Sequence, residues 1–295
     1  MRKRLLSPAK INLGLSIVGR RDSGFHSLES LFWPLSFGDL LEVEKGTGRT
    51  TLRWSPDAPF TTDILPTENN NIVTTVLRAL PESESSWDVT INKSIPMGGG
   101  MGGGSSNVGT FLRYLKEKKL LSVLNLESWA SQYGADIPFF LHSKPAWVSG
   151  IGEVITPLEC TNAVLTELHF LLIIFPFGCE TQLIFKKYKE SGKPFSNSQN
   201  PFPDKTLTIE SIRHYLKSAK NDLEPTATTL YPTIKKVLEK LRAEPCLYAG
   251  LSGSGATCFA VFESAELRQK TAQDLHDFFR TNNCKSISSQ TFTTR

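Results

Sequence analysis

A chain of 295 residues has room for one large domain or two moderate ones, and its formal net charge of +4 is too small and dispersed to mark a nucleic-acid binder. Hydrophobic residues make up 39% and charged residues 21%, and the longest purely apolar run, Phe170 to Phe175, is far too short to span a membrane. Met1-Arg-Lys-Arg4 has the charge of a signal-peptide start, but Ser7, Pro8 and Lys10 arrive before any apolar core, and the five cysteines show no C-x-x-C or metal spacing. A cytoplasmic chain with reduced thiols is the expectation.

Ile11, Leu13, Leu15 and Ile17 alternate, which predicts a half-buried strand after Lys10. Gly19 to Gly24 is turn chemistry, Phe25 to Phe37 reads as extended chain, and Gly38-Asp39 predicts another turn before Leu41 and Val43. Glu68 to Asn71 leads into a helix carrying Ile72, Val73, Val76, Leu77 and Leu80. Trp87 to Lys93 then alternates like a strand.

Next comes Pro96-Met-Gly-Gly-Gly-Met-Gly-Gly-Gly-Ser-Ser-Asn107, in which six of twelve residues are glycine. Glycine loses much entropy on ordering, so so dense a run implies a backbone that must approach something closely or turn where a Cβ would clash. Ser105, Ser106 and Asn107 are good N-cap residues, and Val108, Phe111, Leu112, Leu115 and Leu120 follow at helical spacing. Strand, glycine loop and helix N-terminus in this order aim amide hydrogens and the positive end of a helix dipole at one place, which suits phosphate. Gly98, Gly100 and Gly103 satisfy G-x-G-x-x-G, but the acidic residue and second strand of a dinucleotide site do not follow. The Gly-Lys-Ser/Thr of a Walker loop is also missing, since Gly104 runs directly into Ser105. A phosphate loop of a third kind remains.

Gly134-Ala-Asp-Ile-Pro138 opens a short apolar segment, and Trp147 to Leu158, broken by Gly150 and Gly152, reads as a hairpin. Leu168 to Phe175 predicts a strand buried on both faces, and Ser191 to Asp204 a long loop. Helical patterns cover Leu207 to Leu216 and Ile234 to Leu241. Leu251-Ser-Gly-Ser-Gly-Ala256 precedes a strand, Thr257 to Phe262, with helix beyond to about Phe279. Strands and helices in both halves give an α+β protein.

Taken singly, Lys10 is a solvated charge, Asp136 a cap or turn residue, and Ser252 to Gly255 a turn. Together, Pro8-Ala-Lys-Ile-Asn12, Gly24-Phe-His26, Pro96 to Asn107, Gly134 to Pro138, Asn221-Asp-Leu-Glu224 and Leu251 to Ala256 resemble the GHMP kinases, in family order along the chain. The resemblance is to the branch acting on 4-diphosphocytidyl-2-C-methyl-D-erythritol, in the non-mevalonate route to isoprenoid precursors. It implies an ATP-binding N-terminal domain over residues 1–160, like the second domain of ribosomal protein S5, and a ferredoxin-like C-terminal domain over 161–295. It also implies transfer of the ATP γ-phosphoryl group to the substrate's 2-hydroxyl. Phosphoryl transfer needs alignment and charge neutralisation more than covalent chemistry, which suits these parts.

By the same resemblance, Asp136 matches the catalytic base and Lys10 its cationic partner. The backbone of Pro96, Met97, Gly98, Gly99, Gly100, Met101, Gly102, Gly103, Gly104, Ser105 and Ser106 would cradle ATP, with the Ser106 hydroxyl toward Mg2+. Asn12, Phe25, His26, Phe185, Gly253, Ser254 and Gly255 fall at substrate-contacting positions. Phe25 stands where relatives often carry tyrosine and Phe185 where a second ring covers the cytosine, while His26 would read its edge. No nucleic-acid or membrane partner is implied. Two other readings stand beside this one: a mevalonate- or homoserine-type kinase, and a nucleotide-binding protein of the same fold without turnover. The first usually carries a different glycine loop, and the second has no need of Lys10 and Asp136 together.

Overall fold

The computed structural model describes residues 2–61, 65–198 and 200–293. The chain divides into two compact units, one of Met1–Ala9, Phe37–Pro96 and Gly102–Ser143, the other of Lys10–Ser36, Met97–Met101 and Lys144–Arg295. Two long strands, Lys3–Arg20 and His26–Lys45, contribute residues to both. The alternation of Ile11 to Ile17 is therefore the middle of a strand of 18 residues.

In the first unit, Leu40 to Lys45 pairs antiparallel with the strand Trp87–Lys93, which pairs in parallel with Thr50–Trp54. Leu41, Val43, Val89 and Ile91 sit at alternate positions, as a pleated strand requires, and all four are buried in one apolar cluster. The helix Ile72–Ala79 adds Val73, Val76 and Leu77, and the helix Gly103–Glu117 adds Val108, Phe111, Leu112 and Leu115. Each set recurs at the spacing of one helix face. Asn71 caps the first of these helices, its side chain accepting from the Val73 N–H.

Two expectations are corrected here. Gly38-Asp39 makes no turn, because the strand His26–Lys45 runs straight through it. A Cβ on Gly38 would lie 2.2 Å from the Ser7 carbonyl oxygen, so glycine is present to let the neighbouring strand approach. Asp39 is fully buried and forms an ion pair with Lys93. Its second oxygen accepts from the N–H groups of Ser94 and Ile95 at 2.7 and 2.8 Å, fixing the chain just before Pro96. The glycine helix, too, starts earlier than the capping residues suggest. It begins at Gly103, with Gly102 at φ 69° in the capping position.

In the second unit, four strands form an antiparallel sheet in the order Tyr248–Leu251, Cys258–Phe262, His169–Ile174, Lys285–Gln290. Phe170 to Ile174 lies in its interior and is buried throughout, which explains the unbroken apolar run. The helices Thr181–Glu190, Glu224–Leu230 and Pro232–Arg242 place Ile184, Tyr188, Ala227, Ile234, Val237 and Leu241 in the same core. The expected hairpin is present as Ala146–Ser149 against Val154–Pro157. Residues 191–198 and 200–204 carry neither helix nor strand. Helices and largely antiparallel sheets in each unit make this an α+β protein.

Candidate active site

In the second unit, the segment Met97–Met101 is held by its carbonyl groups. Gly98 accepts from the Cys179 N–H at 3.0 Å, Gly99 from the Thr257 N–H at 3.2 Å, and Met101 from the Lys10 N–H at 3.1 Å. Gly100 accepts from the Ser252 hydroxyl at 2.8 Å. In a trans peptide the N–H of the next residue points the opposite way. The N–H groups of Gly99, Gly100, Met101 and Gly102 therefore turn away from these donors, and no described residue accepts from them. Gly100 has φ 74°, and a Cβ there would lie 2.2 Å from the Ser252 carbonyl oxygen, so this position admits glycine alone. The Ser252–Gly255 loop is fixed in turn by Asn221, whose side-chain amide donates to the carbonyls of Leu251 and Gly253, both at 2.8 Å. Ser254 shares a hydrogen bond of 2.9 Å with Thr181.

Lys10 is buried with 5% exposure. Its ammonium donates to Asn12 Oδ1 at 2.7 Å and lies 4.4 Å from the centre of the Phe32 ring. Asn12, read as a substrate contact, is 2% exposed, with its Nδ2 donating to Ser30 at 2.9 Å. That side chain is engaged with protein at both ends.

The aromatic residues are partly gathered. His26 stacks on Phe185 at 5.4 Å between centroids and 27° between planes, and meets Tyr188 edge-on at 5.8 Å. Burial first, then the charges of Arg20 and Lys189, hold the His26 imidazole below its ordinary pKa. Phe25 is 62% exposed, so the ring lying on Phe185 here is that of His26. Tyr188 carries no motif and only helical spacing from Phe185 hinted at it.

In the first unit, Gly103, Gly104 and Ser105 open the glycine helix with the unpaired amides of any helix start. Ser106 is fully buried, and its hydroxyl donates to the Pro8 carbonyl at 2.5 Å and lies 2.8 Å from the Ser7 hydroxyl. Ser7 is also 2.8 Å from Asn107 Oδ1. The Ser106 hydroxyl thus clamps the helix to the first strand and is not presented to a metal ion. Among the described residues no group of three His, Cys, Asp or Glu could hold a metal either.

Asp136 precedes the helix Ile137–His142 and makes no capping bond to it. That helix packs on the glycine helix where a Cβ on Gly109 would lie 2.4 Å from Phe140 Cβ. Arg113 anchors its other end, donating to the Phe140 carbonyl at 3.3 Å and Ser143 Oγ at 2.7 Å. The Cβ position of Gly134 is 3.4 Å from Ser105 Oγ, which brings the Gly134–Asp136 turn to the first turn of the glycine helix. A half-buried carboxylate thus stands beside a helix N-terminus suited to phosphate.

The comparisons with known proteins give the class. The GHMP kinases N terminal domain matches residues 71–144, and GHMP kinases C terminal matches 206–281. A 4-diphosphocytidyl-2-C-methyl-D-erythritol kinase of Chelativorans sp. (strain BNC1) is 34% identical over 92% of this chain and 91% of its own length. One of Roseobacter denitrificans is 33% identical over 92% and 88%. A crystal structure of 4-(cytidine 5'-diphospho)-2C-methyl-D-erythritol kinase is 26% identical with a TM-score of 0.75, covering 99% of this chain and 100% of that one. The chain belongs to the 4-diphosphocytidyl-2-C-methyl-D-erythritol kinase family, within the GHMP kinases.

Proposed function

We propose that this chain transfers the γ-phosphoryl group of ATP to the 2-hydroxyl of 4-diphosphocytidyl-2-C-methyl-D-erythritol, the compound in its relatives' names. The observation that carries this reading is the row of four carbonyls, Gly98 to Met101, each held by a protein donor. The amides of the same peptides are what the run offers a ligand, and convergent amides suit phosphate oxygens. In this reading the backbone from Pro96 to Ser106 binds ATP. The substrate hydroxyl oxygen attacks the γ-phosphorus, the bond from phosphorus to the leaving ADP oxygen breaks, and the hydroxyl proton passes to Asp136. Lys10, aimed by Asn12, supplies positive charge to the transferring group. His26, Phe185, Phe25 and the Gly253–Gly255 loop are assigned to the substrate.

A division into an ATP-binding domain over 1–160 and a second domain over 161–295 belongs to the same proposal; the two family matches fall on either side of it. No helix among the described residues is long and apolar enough to cross a membrane. The reading is tested by ADP release from the purified chain with diphosphocytidyl-methylerythritol, mevalonate or homoserine as acceptor. Turnover with the first alone is expected, and preference for either of the others overturns it.

A further inference from the structure

We propose that Asn221 is a positioning residue for the glycine run, acting through the Ser252–Gly255 loop. The proposal rests on the reading that the amides of that run receive the ATP phosphates. Asn221 opens Asn221-Asp-Leu-Glu224, the one segment of the resemblance to which the proposed reaction assigns no group.

Both ends of the buried Asn221 amide are fixed by partners of one polarity. Its Oδ1 accepts from the Leu223 N–H at 2.9 Å, a group that can only donate. Its Nδ2 donates to the carbonyls of Leu251 and Gly253, each at 2.8 Å, and these can only accept. The amide therefore has one orientation, with both of its N–H bonds in use.

The strand Tyr248–Leu251 is the outer strand of its sheet and pairs with Cys258–Phe262. Because the Ser252 N–H donates to the Thr257 carbonyl at 2.9 Å, the alternation of an antiparallel ladder turns the Leu251 carbonyl outward. Asn221 meets it there and takes the Gly253 carbonyl with its second N–H. Strand end and loop are thus tied to a single side chain. That side chain is itself held to the first strand, since the Lys220 carbonyl accepts from the Leu15 N–H at 2.7 Å and the Asp222 N–H donates to the Leu15 carbonyl at 2.8 Å. Support runs from this strand through Asn221 to the loop, and from the Ser252 hydroxyl to the Gly100 carbonyl.

A cavity of about 260 Å³, lined by Asn221, Asp222, Glu224 and Tyr248 among others, lies against the amide. It has room for water. Where the amide is lost, water can satisfy the two carbonyls but cannot tie them together. The loop should loosen more than the fold is destabilised.

Two substitutions keep the turn to Leu223 and change what the loop meets. Asn221→Ser retains an oxygen able to accept from the Leu223 N–H and loses both donors. Asn221→Asp retains that acceptor and sets a carboxylate oxygen against the two carbonyls. KM for ATP is expected to rise about five-fold in Asn221→Ser, the scale of one lost hydrogen bond, and at least about ten-fold in Asn221→Asp. At saturating ATP, kcat should stay within about two-fold of wild type. In the Ser252→Ala background, Asn221→Ser should raise KM for ATP less than about two-fold, because the link to Gly100 is already cut. Amide hydrogen exchange at Ser252 and Gly255 should quicken in both single variants. Wild-type exchange and KM in both, or an equal rise in KM in both backgrounds, overturn the proposal. Quickened exchange with an unchanged KM for ATP means instead that the reading of the glycine run has failed. If Asn221→Asp does not fold, Asn221→Ser decides alone. If neither folds, Asn221 serves the fold rather than the loop, and the proposal falls.

Discussion

The hydroxyl of Ser252 donates to the Gly100 carbonyl at 2.8 Å and is the one side chain among the four donors that hold the glycine run. The other three are backbone amides and survive any substitution except proline. Ser252→Ala therefore removes one clamp and takes from the part-buried Gly100 carbonyl its hydroxyl donor, at a cost of roughly 1 kcal/mol. KM for ATP is expected to rise roughly five-fold, with kcat changed much less and the melting temperature slightly lowered. ATP titrations of initial rate decide it; a lowered kcat at unchanged KM would mean that Ser252 does not set the loop.

Glycines within the same run should fail in different ways. A Cβ on Gly100 would lie 2.2 Å from a backbone oxygen, so Gly100→Ala is expected to lose folded protein. On Gly103 it would lie 3.0 Å from Ile95 and 3.1 Å from the Lys93 ammonium, mixing strain with any effect on ligand. On Gly104 it would meet only Ile72, at 3.4 Å, and the position is exposed at the helix start. Gly104→Val should melt close to wild type yet bind ATP at least ten-fold more weakly, its branched side chain covering the amides. Calorimetric ATP binding beside a thermal melt separates the two losses.

Apolar periodicity gave away most of the fold: the buried strand at Phe170 to Ile174, the helix after Asn71 and the strand before the glycine run all stand where their patterns place them. What local pattern could not reveal are features whose cause lies far along the chain. Gly38 is glycine because of Ser7, and Asp39 is buried because Lys93 reaches it, so a pair that reads as a turn lies inside a strand. Ser106 and Asn107 have the chemistry of helix caps but turn it sideways onto Ser7 and Pro8, which lets the helix begin inside the glycine run. For the candidate site, motifs propose residues and do not reveal what holds them. Ser30 and Tyr188 have no signature of their own, since a hydroxyl or ring becomes a support only through the register that brings a partner to it.

His26 gives a dependence on pH. Burial, with Arg20 and Lys189 nearby, disfavours its charged form, so its midpoint in the folded chain lies below the ordinary value of about 6.5. In the unfolded chain the ring protonates near that ordinary value. Stability from this group is therefore intact above pH of about 6.5 and is lost as pH falls from there through the lower folded midpoint. A neutral imidazole also keeps one ring nitrogen as an acceptor, which an amino group of cytosine would need, and protonation removes it. KM for the cytidine substrate should rise as pH falls through the same midpoint while KM for ATP stays level. Phe185→Ala, which uncovers one face of the ring, should raise the midpoint toward 6.5 in an NMR titration. A midpoint at or above the ordinary value in the wild type would contradict the cause assigned to it.

Asp136 and Lys10 are proposed to serve one step, and that has a consequence for their variants. Asp136→Asn keeps the size of the side chain and removes both its charge and its ability to take a proton. Loss of a general base costs about 10²–10⁴-fold in rate, and kcat should fall by that much while ATP binding persists. Lys10→Ala should lower kcat on a similar scale and also strand Asn12 Oδ1, which loses the ammonium it accepts from, so a modest drop in melting temperature is expected with it. If charge on the lysine matters chiefly while the proton is leaving the substrate for Asp136, then removing both groups should cost little more than removing one. Independent roles would instead multiply the two losses. Single-turnover rates of the two single variants and the double variant distinguish these cases, with nucleotide affinity measured for each so that a binding defect is not counted as chemistry. A double variant slowed by the product of the single losses would separate Lys10 from the proton-transfer step, and near-normal kcat in Asp136→Asn would remove that carboxylate from the reaction.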